Sequence, residues 1–459
     1  MAEKIDEVFK VIDEQRDGYL HELLELLRLP SVSANPTCRK YIENAAERLC
    51  KALKARGAGC EVLETEGHPV VCGSFQAKDK GPTLLIYGHY DVQPPDPLEE
   101  WQSDPFDPVI KDGYVYARGA SDDKGQLFCY VAALDAINRA GLQVPVNLRF
   151  LFEGEEEIGS PNLRKFLLHR HELLESDAVV ISDGSQAAPG VPAITYGLRG
   201  LAYLQIDVEG PKRDLHSGVY GGIVVNPLQA LVDILSHLKD ENDRVMIEGF
   251  YDDVLVPDET ERAMIRSLPF DEEQLKEYLG ISVFGGEKEF HPLERRLLRP
   301  TLDVNGIWGG YSGPGAKTVI PSRAGAKISM RLVPNQRYKK ITDLTGQYIR
   351  KVTPPGVRVK VTPMEGTDPV LVNTKSREVQ IAARALEIAF GRPPVFMREG
   401  GSIPVVSLFS ELMGSKPILL LGFGRPDDGI HGPNERFNLD DFFKGIKTAV
   451  ALFFLMAER

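Results

Sequence analysis

Cysteine is scarce. The five cysteines in 459 residues, Cys38, Cys50, Cys60, Cys72 and Cys129, are odd in number, and no two form a C-x-x-C pair. That argues against a disulfide framework and against a zinc site built from thiolates. Their plain reading is as reduced, mostly buried thiols. Long apolar runs are missing too. The longest near the C-terminus, Ala449 to Ala457, is far short of the ~20 residues that a membrane span needs. The N-terminal Met1-Ala2-Glu3-Lys4-Ile5-Asp6 has no basic stretch leading into an apolar one, so no signal peptide is read there. Basic charge is in deficit, with 54 Lys and Arg against 66 Asp and Glu, a net charge of −12. A polyanion is repelled on average, which disfavours nucleic acid as a partner. These traits together read as a soluble cytoplasmic protein that binds no nucleic acid and no membrane.

A sizeable core is available. The chain is 42% hydrophobic and 26% charged, ordinary for a globular protein, and its length fits two or three domains. Residues 4–28 and 42–56 carry apolar side chains at helical spacing, and Pro30 stops the first helix. Short apolar runs fit for buried strands are Pro82 to Gly88, Val146 to Phe152, Ala178 to Ser182 and Ile418 to Leu421. Helical stretches at Lys124 to Ala140, Leu163 to Leu174 and Ser376 to Phe390 lie between them. Such alternation predicts an α/β domain with a mostly parallel sheet flanked by helices. The texture changes after Gly200. Leu201 to Glu209 alternates with a period near two, a helix follows at Pro227 to Leu238, and further strands are expected at Ala326 to Leu332 and Arg358 to Thr362, with a helix near Lys340 to Lys351. The expected architecture is one domain made of 1–200 and 371–459, interrupted by a smaller α+β domain over 201–370. Residues 245–300 carry no chemically legible motif.

The chemistry-bearing residues gather where the apolar runs end. The first leads into His89-Tyr90-Asp91, the second into Glu155-Glu156-Glu157, the third into Asp183, and the fourth toward Asp427-Asp428-Gly429-Ile430-His431. Asp122-Asp123 stands just before a predicted helix. In open α/β sheets, sites lie at the carboxyl ends of strands. Carboxylates crowded there repel one another unless a cation neutralises them. Two imidazoles with three or four carboxylates suit Zn²⁺ or Mn²⁺, and a pair of metals sharing a carboxylate would use them well. Each piece also has a plainer reading. Asp122-Asp123 could be a helix N-cap, the glutamate triplet a solvated turn, Asp183 an Asx-turn, His89 a hydrogen-bonded strand end, and His431 an idle loop residue.

Taken together, the motifs resemble a known family. They are Gly88-His89-Tyr90-Asp91-Val92-Gln93-Pro94, Gly119-Ala120-Ser121-Asp122-Asp123-Lys124-Gly125, Glu156-Glu157-Ile158-Gly159-Ser160, Ser182-Asp183 and Asp214-Leu215-His216-Ser217-Gly218. Ala316-Lys317-Thr318-Val319-Ile320-Pro321, Met330-Arg331-Leu332-Val333-Pro334 and Arg398-Glu399-Gly400-Gly401-Ser402-Ile403-Pro404 complete the set. The chain is similar to the co-catalytic di-zinc metallopeptidases, a family of dipeptidases, aminoacylases and glutamate carboxypeptidases, and resembles the dipeptidase branch most. The resemblance implies two divalent metals, zinc with manganese as the alternative. Asp122 would bridge them, His89 and Asp183 would complete one site, and Glu157 and His431 the other. A cis peptide between Asp122 and Asp123 is implied as well. Glu156 would be the general base, with Asp91 orienting His89. His216 would act in the neighbouring subunit's site, so the 201–370 domain would be both lid and homodimer interface. Arg331 would grip the substrate's terminal carboxylate, a task suited to its fork of donors, and Thr318, Gly401 and Ser402 would line the substrate.

The expected activity is hydrolysis of a dipeptide or short peptide with a free C-terminal carboxylate, by hydroxide held at the metals. The alternative is an N-acyl-amino-acid deacylase on the same site. Two other chemistries drop out. Gly310 to Thr318 resembles a phosphate loop, but Ala316 breaks the required spacing and no helix is expected to follow. No G-x-S-x-G nucleophile elbow is present.

Overall fold

Buried strands shape the molecule first. Ala178–Ser182 and Ile418–Gly422 are buried at every position, and Thr83–His89 at all but its first residue. A strand buried on both faces needs helices on both sides, and its sequence is then a continuous apolar run rather than an alternating one. The computed structural model describes residues 1–458 except Glu365, Ser402 and Ser415. It divides into two compact units. One comprises Met1–Tyr196, Val372–Met397 and Pro404–Arg459; the other comprises Gly197–Leu371 and Arg398–Ile403. The return of 398–403 to the second unit leaves no trace in hydropathy.

In the first unit, Thr83–His89 pairs in parallel with Asn147–Glu153 and Ala178–Ser182, and Ala178–Ser182 in parallel with Ile418–Gly422. Antiparallel strands flank this centre: Val70–Phe75 and then Gly59–Leu63 on one side, Ala193–Leu198 on the other. The parallel strands all point their carboxyl ends the same way, which gathers the polar residues that follow them. Lys124–Arg139 and Leu439–Met456 are nearly buried helices and pack on each other, with Arg377–Phe390 against the second. No helix among the described residues is long and apolar enough to cross a membrane. Two expected helices are interrupted. The N-terminal one breaks at Gln15 into Ala2–Glu14 and Arg16–Leu27, and the one after Leu163 ends at His169, with a 3₁₀ turn over His171–Leu174.

The second unit is built on a four-stranded antiparallel sheet in the order Thr301–Gly309, Arg323–Leu332, Gly200–Glu209, Arg358–Pro363. Side chains alternate between its faces. Ala202, Leu204, Ile206 and Val208, with Ala324, Ala326, Ile328 and Met330, form the apolar face. Helices Pro227–Ser236 and Tyr338–Val352 pack against this sheet. Arg331 shares the opposite face with Lys327 and Ser329. The unread stretch 245–300 holds three short helices, Glu259–Arg266, Glu272–Leu279 and Pro292–Leu297.

Candidate metal centre

Four segments of the first unit converge on Asp122. His89 ends its strand fully buried; its Nε2 lies 3.0 Å from Asp122 Oδ1 and 3.7 Å from Asp183 Oδ1. His431 places its Nε2 3.0 Å from Asp122 Oδ2 and 3.3 Å from Glu157 Oε2. Each oxygen of Asp122 therefore faces one imidazole. Two groups result, His89–Asp122–Asp183 and Asp122–Glu157–His431, each with its ligand atoms within 4.8 Å of one another. These are the five residues that the motif resemblance singles out as metal ligands, in the two sets that it implies.

The donor chemistry fits a pair of cations. His89 Nε2 is buried and makes no hydrogen bond despite the carboxylate oxygens around it, an arrangement suited to atoms that share a ligand rather than a proton. Burial works against charge on His89, yet the carboxylates of Asp122, Asp183 and Asp91 overcome it and raise its pKa well above the ordinary value. Contact with Asp122 and Glu157 pushes His431 up to about 10. Burial, with Asp122 and Glu157 nearby, lifts Asp183 to about 6. The cluster thus retains protons that divalent ions would replace.

Backbone anchors hold these side chains in place. Asp91 is fully buried and accepts from the amides of Glu156, at 3.2 Å, and Glu157, at 3.1 Å. Its carboxylate also lies 3.4 Å from Nδ1 of His89, whose ring contacts the Asp91 carbonyl at 3.1 Å. Asp91 therefore positions a histidine and two glutamates at once. The peptide between Asp122 and Asp123 is cis, and Asp123 accepts from the His89 amide at 3.2 Å.

The main anchor that sequence reasoning missed is Glu435. Its fully buried carboxylate accepts from the amides of Ser121 and Asp122 through Oε1, at 2.9 and 3.1 Å, and from the Gly119 amide through Oε2 at 3.0 Å. The Arg118 guanidinium donates to Oε2 at 2.8 Å. One short loop, 431–435, thus supplies both a candidate ligand and the clamp on the Asp122 turn. An acid closing the Gly- and Pro-containing His431-Gly432-Pro433-Asn434-Glu435 was the only available signal.

The three consecutive glutamates differ sharply. Glu155 is buried and occupied, accepting from the His68 amide at 2.9 Å and from the Asn162 side chain at 3.0 and 3.1 Å. Glu157 accepts from Gln93 at 2.9 Å. Burial raises the Glu156 pKa well above the carboxylate range; His89 lowers it, while Asp183 and Glu157 raise it further. Below them, Glu153 accepts from Tyr87 and Ser160 at 2.5 and 2.9 Å.

The remaining expected residues belong to the second unit. His216 lies on a two-stranded ribbon, Leu215–His216 against Val319–Ile320, and Thr318 directly precedes its second strand, where the Ser217 amide donates to the Thr318 carbonyl at 3.1 Å. His216 is exposed, and its Nδ1 accepts from the Gly218 amide at 3.0 Å. That places the proton of a neutral ring on Nε2, which is then a donor. Arg331 is half-buried on its strand, and Gly401 is exposed, its carbonyl accepting from the Arg199 amide at 3.2 Å. Ser402 lies outside the described residues.

The model of peptidase family M20/M25/M40 matches residues 85–454. The Cys-Gly metallodipeptidase dug1 of Schizosaccharomyces pombe is 36% identical, covering 97% of each chain. The β-Ala-His dipeptidase of Homo sapiens is 31% identical over 99% of this chain and 93% of that one. Among solved structures, the M20 family metallo-carboxypeptidase Sso-CP2 from Sulfolobus solfataricus is 35% identical with a TM-score of 0.85, covering 96% of this chain and 99% of that one. These relatives favour the dipeptidase expectation over the deacylase.

Proposed function

The chain belongs to peptidase family M20/M25/M40, a family of peptide-bond hydrolases, and from that premise we propose that it is a two-metal dipeptidase. The carrying observation is that two ligand groups share Asp122, one imidazole on each of its oxygens. His89, Asp122 and Asp183 would hold one divalent ion, and Asp122, Glu157 and His431 the other. Zinc suits this set, with manganese as the alternative. When bound, such a pair polarises a carbonyl and makes hydroxide available at neutral pH.

The chain's own residues supply the rest. Glu156 takes the proton of the attacking water and passes it to the leaving amine. Its raised pKa suits both halves of that task, and the hydrogen bonds that occupy Glu155 leave it unsuited as a substitute. Asp91 fixes His89 and the backbone of Glu156 and Glu157. His216 offers its Nε2 proton to the oxyanion in the neighbouring subunit of a homodimer, formed through the second unit. Arg331 binds the terminal carboxylate of the substrate, and Thr318, Gly401 and Ser402 line it. All five cysteines are free, which suits a reducing cytoplasm.

The relatives are named for Cys-Gly and β-Ala-His, so unblocked dipeptides are the substrates to try. Metal-loaded protein is expected to hydrolyse dipeptides with free C-termini, to lose activity to a chelator, and to leave N-acetyl amino acids largely intact. Faster turnover of the N-acetyl amino acids would overturn the dipeptide reading.

A further inference from the structure

A cavity of about 480 Å³ lies wholly within the second unit, a size that accepts a small ligand. Its walls are unusually cationic for a protein of net charge −12. Six basic side chains line it, against the three carboxylates of Asp243, Glu287 and Asp303. Three of these cations have partners that bear directly on the cavity. Arg299 is paired with Glu287 and Lys239 lies 3.9 Å from Asp243, while Arg295 donates to the carbonyls of Phe290, Gly285 and Lys288. Arg331 is the residue assigned above to the substrate's terminal carboxylate.

Two arginines are then left over. Arg199 donates through Nε to the Gly400 carbonyl at 2.7 Å, but its Nη1 is buried with no hydrogen-bond partner. Arg296, on the helix Pro292–Leu297, is exposed. Neither has a carboxylate within ion-pair distance among the described residues. Burial, together with the charges of Arg331 and Arg296, lowers the Arg199 pKa to about 10, although Glu399 and Asp303 act in the opposite direction. Bringing like charges together while withdrawing them from water is unfavourable. An unsatisfied buried guanidinium nitrogen adds to that cost. An anion that enters and pairs with these guanidinium groups offsets both penalties.

We propose that this cavity is a second anion subsite, in which Arg199 and Arg296 read the side-chain carboxylate of an aspartate or glutamate at the C-terminal position of the substrate. Such a residue presents two carboxylates on one short chain, one for Arg331 and one for the arginines beside it. Planar guanidinium forks suit carboxylates better than point charges do. The Arg199 contact to the Gly400 carbonyl also ties the subsite to the 398–403 segment. The proposal rests on the dipeptidase reading of Arg331, so its test includes a readout without turnover.

The test compares Ala-Glu with Ala-Gln, which match in shape and differ in charge, using metal-loaded protein at low salt. The native enzyme should favour Ala-Glu in kcat/KM by about tenfold or more. Arg296→Met, at an exposed position, should shrink that preference to about threefold or less. Arg199→Lys, which keeps the charge but loses the fork, should also shrink it. Equal turnover of the two dipeptides by the native enzyme would overturn the proposal while leaving the dipeptidase reading intact, as would equal losses for both in Arg296→Met. Calorimetric binding of free glutamate and glutamine separates the remaining case. If no dipeptide is cleaved, the dipeptidase reading fails. The subsite then stands only if glutamate binds more tightly than glutamine and loses that advantage in Arg296→Met. Equal binding of the two amino acids would overturn it.

Discussion

The base role proposed for Glu156 runs against burial and two neighbouring carboxylates, which favour its protonated form. Divalent ions beside it would ease that conflict, because their positive charge favours the carboxylate form. Glu156→Gln should keep its metal content and lose about 10²- to 10⁴-fold in kcat, the usual worth of a positioned acid–base group. Near-normal kcat at saturating metal would place the base elsewhere. Glu155→Gln should behave differently. Disturbing its buried hydrogen bonds is expected to lower stability by about 1–3 kcal/mol with little change in kcat. Glu435 is tested by binding rather than turnover. Glu435→Gln weakens the clamp on the Asp122 turn, and metal affinity measured by chelator competition should fall about 10- to 100-fold. A lowered Tm with unchanged metal affinity would mean that Glu435 supports only the fold. The contrast between the two glutamates shows what was legible in the sequence. Glu156 belongs to a motif whose side chains are expected to do the chemistry, and the resemblance carries it. Glu435 works through backbone amides of Gly119, Ser121 and Asp122, and an amide carries no residue identity to read.

Strands and ribbons decide which of these residues can cooperate. Runs such as Ala178–Ser182 and Ile418–Gly422 were legible because burial on both faces demands apolar residues throughout. The edge strand Thr301–Gly309 was not. Its outer positions are exposed, and its pairing slips between Val304 and Gly306, which erases the alternation that marks a strand. Helices Glu259–Arg266 and Glu272–Leu279 were missed for a related reason, since each buries at most one residue and leaves little periodic signal. The ribbon that carries His216 and follows Thr318 has only two residues per strand, too short for periodicity, so resemblance alone singled those residues out. Its role in a dimer can be tested by mixing two inactive variants, His216→Ala and Glu156→Gln, under conditions that exchange subunits. Activity should return in part, because one site of the mixed dimer then has both native residues. Demonstrated exchange without recovery would argue that His216 serves its own subunit.

For the whole molecule, metal and protons compete for one cluster. In the metal-free fold, the raised pKa of His431 adds stability that is complete below the ordinary histidine value of about 6.5 and is lost as pH rises through about 10. A metal ion requires the neutral ring, so the sign reverses for metal binding, which should release protons at pH 7 and tighten as pH rises. Calorimetric titration of chelator-treated protein in buffers of differing ionisation enthalpy measures that release, and His431→Asn should lower it. No proton release would mean that the histidines are not ligands. Bound metal should also raise Tm in proportion to its excess over Kd.

The whole proposed centre depends on one aspartate bridging two ions. Anomalous diffraction from crystals of the zinc-loaded protein, recorded on both sides of the zinc edge, tests it most directly. Two anomalous peaks are expected in each subunit, one beside His89 and Asp183, the other beside Glu157 and His431, with an oxygen of Asp122 bound to each. A single peak, or two peaks with Asp122 bound to neither, would contradict it.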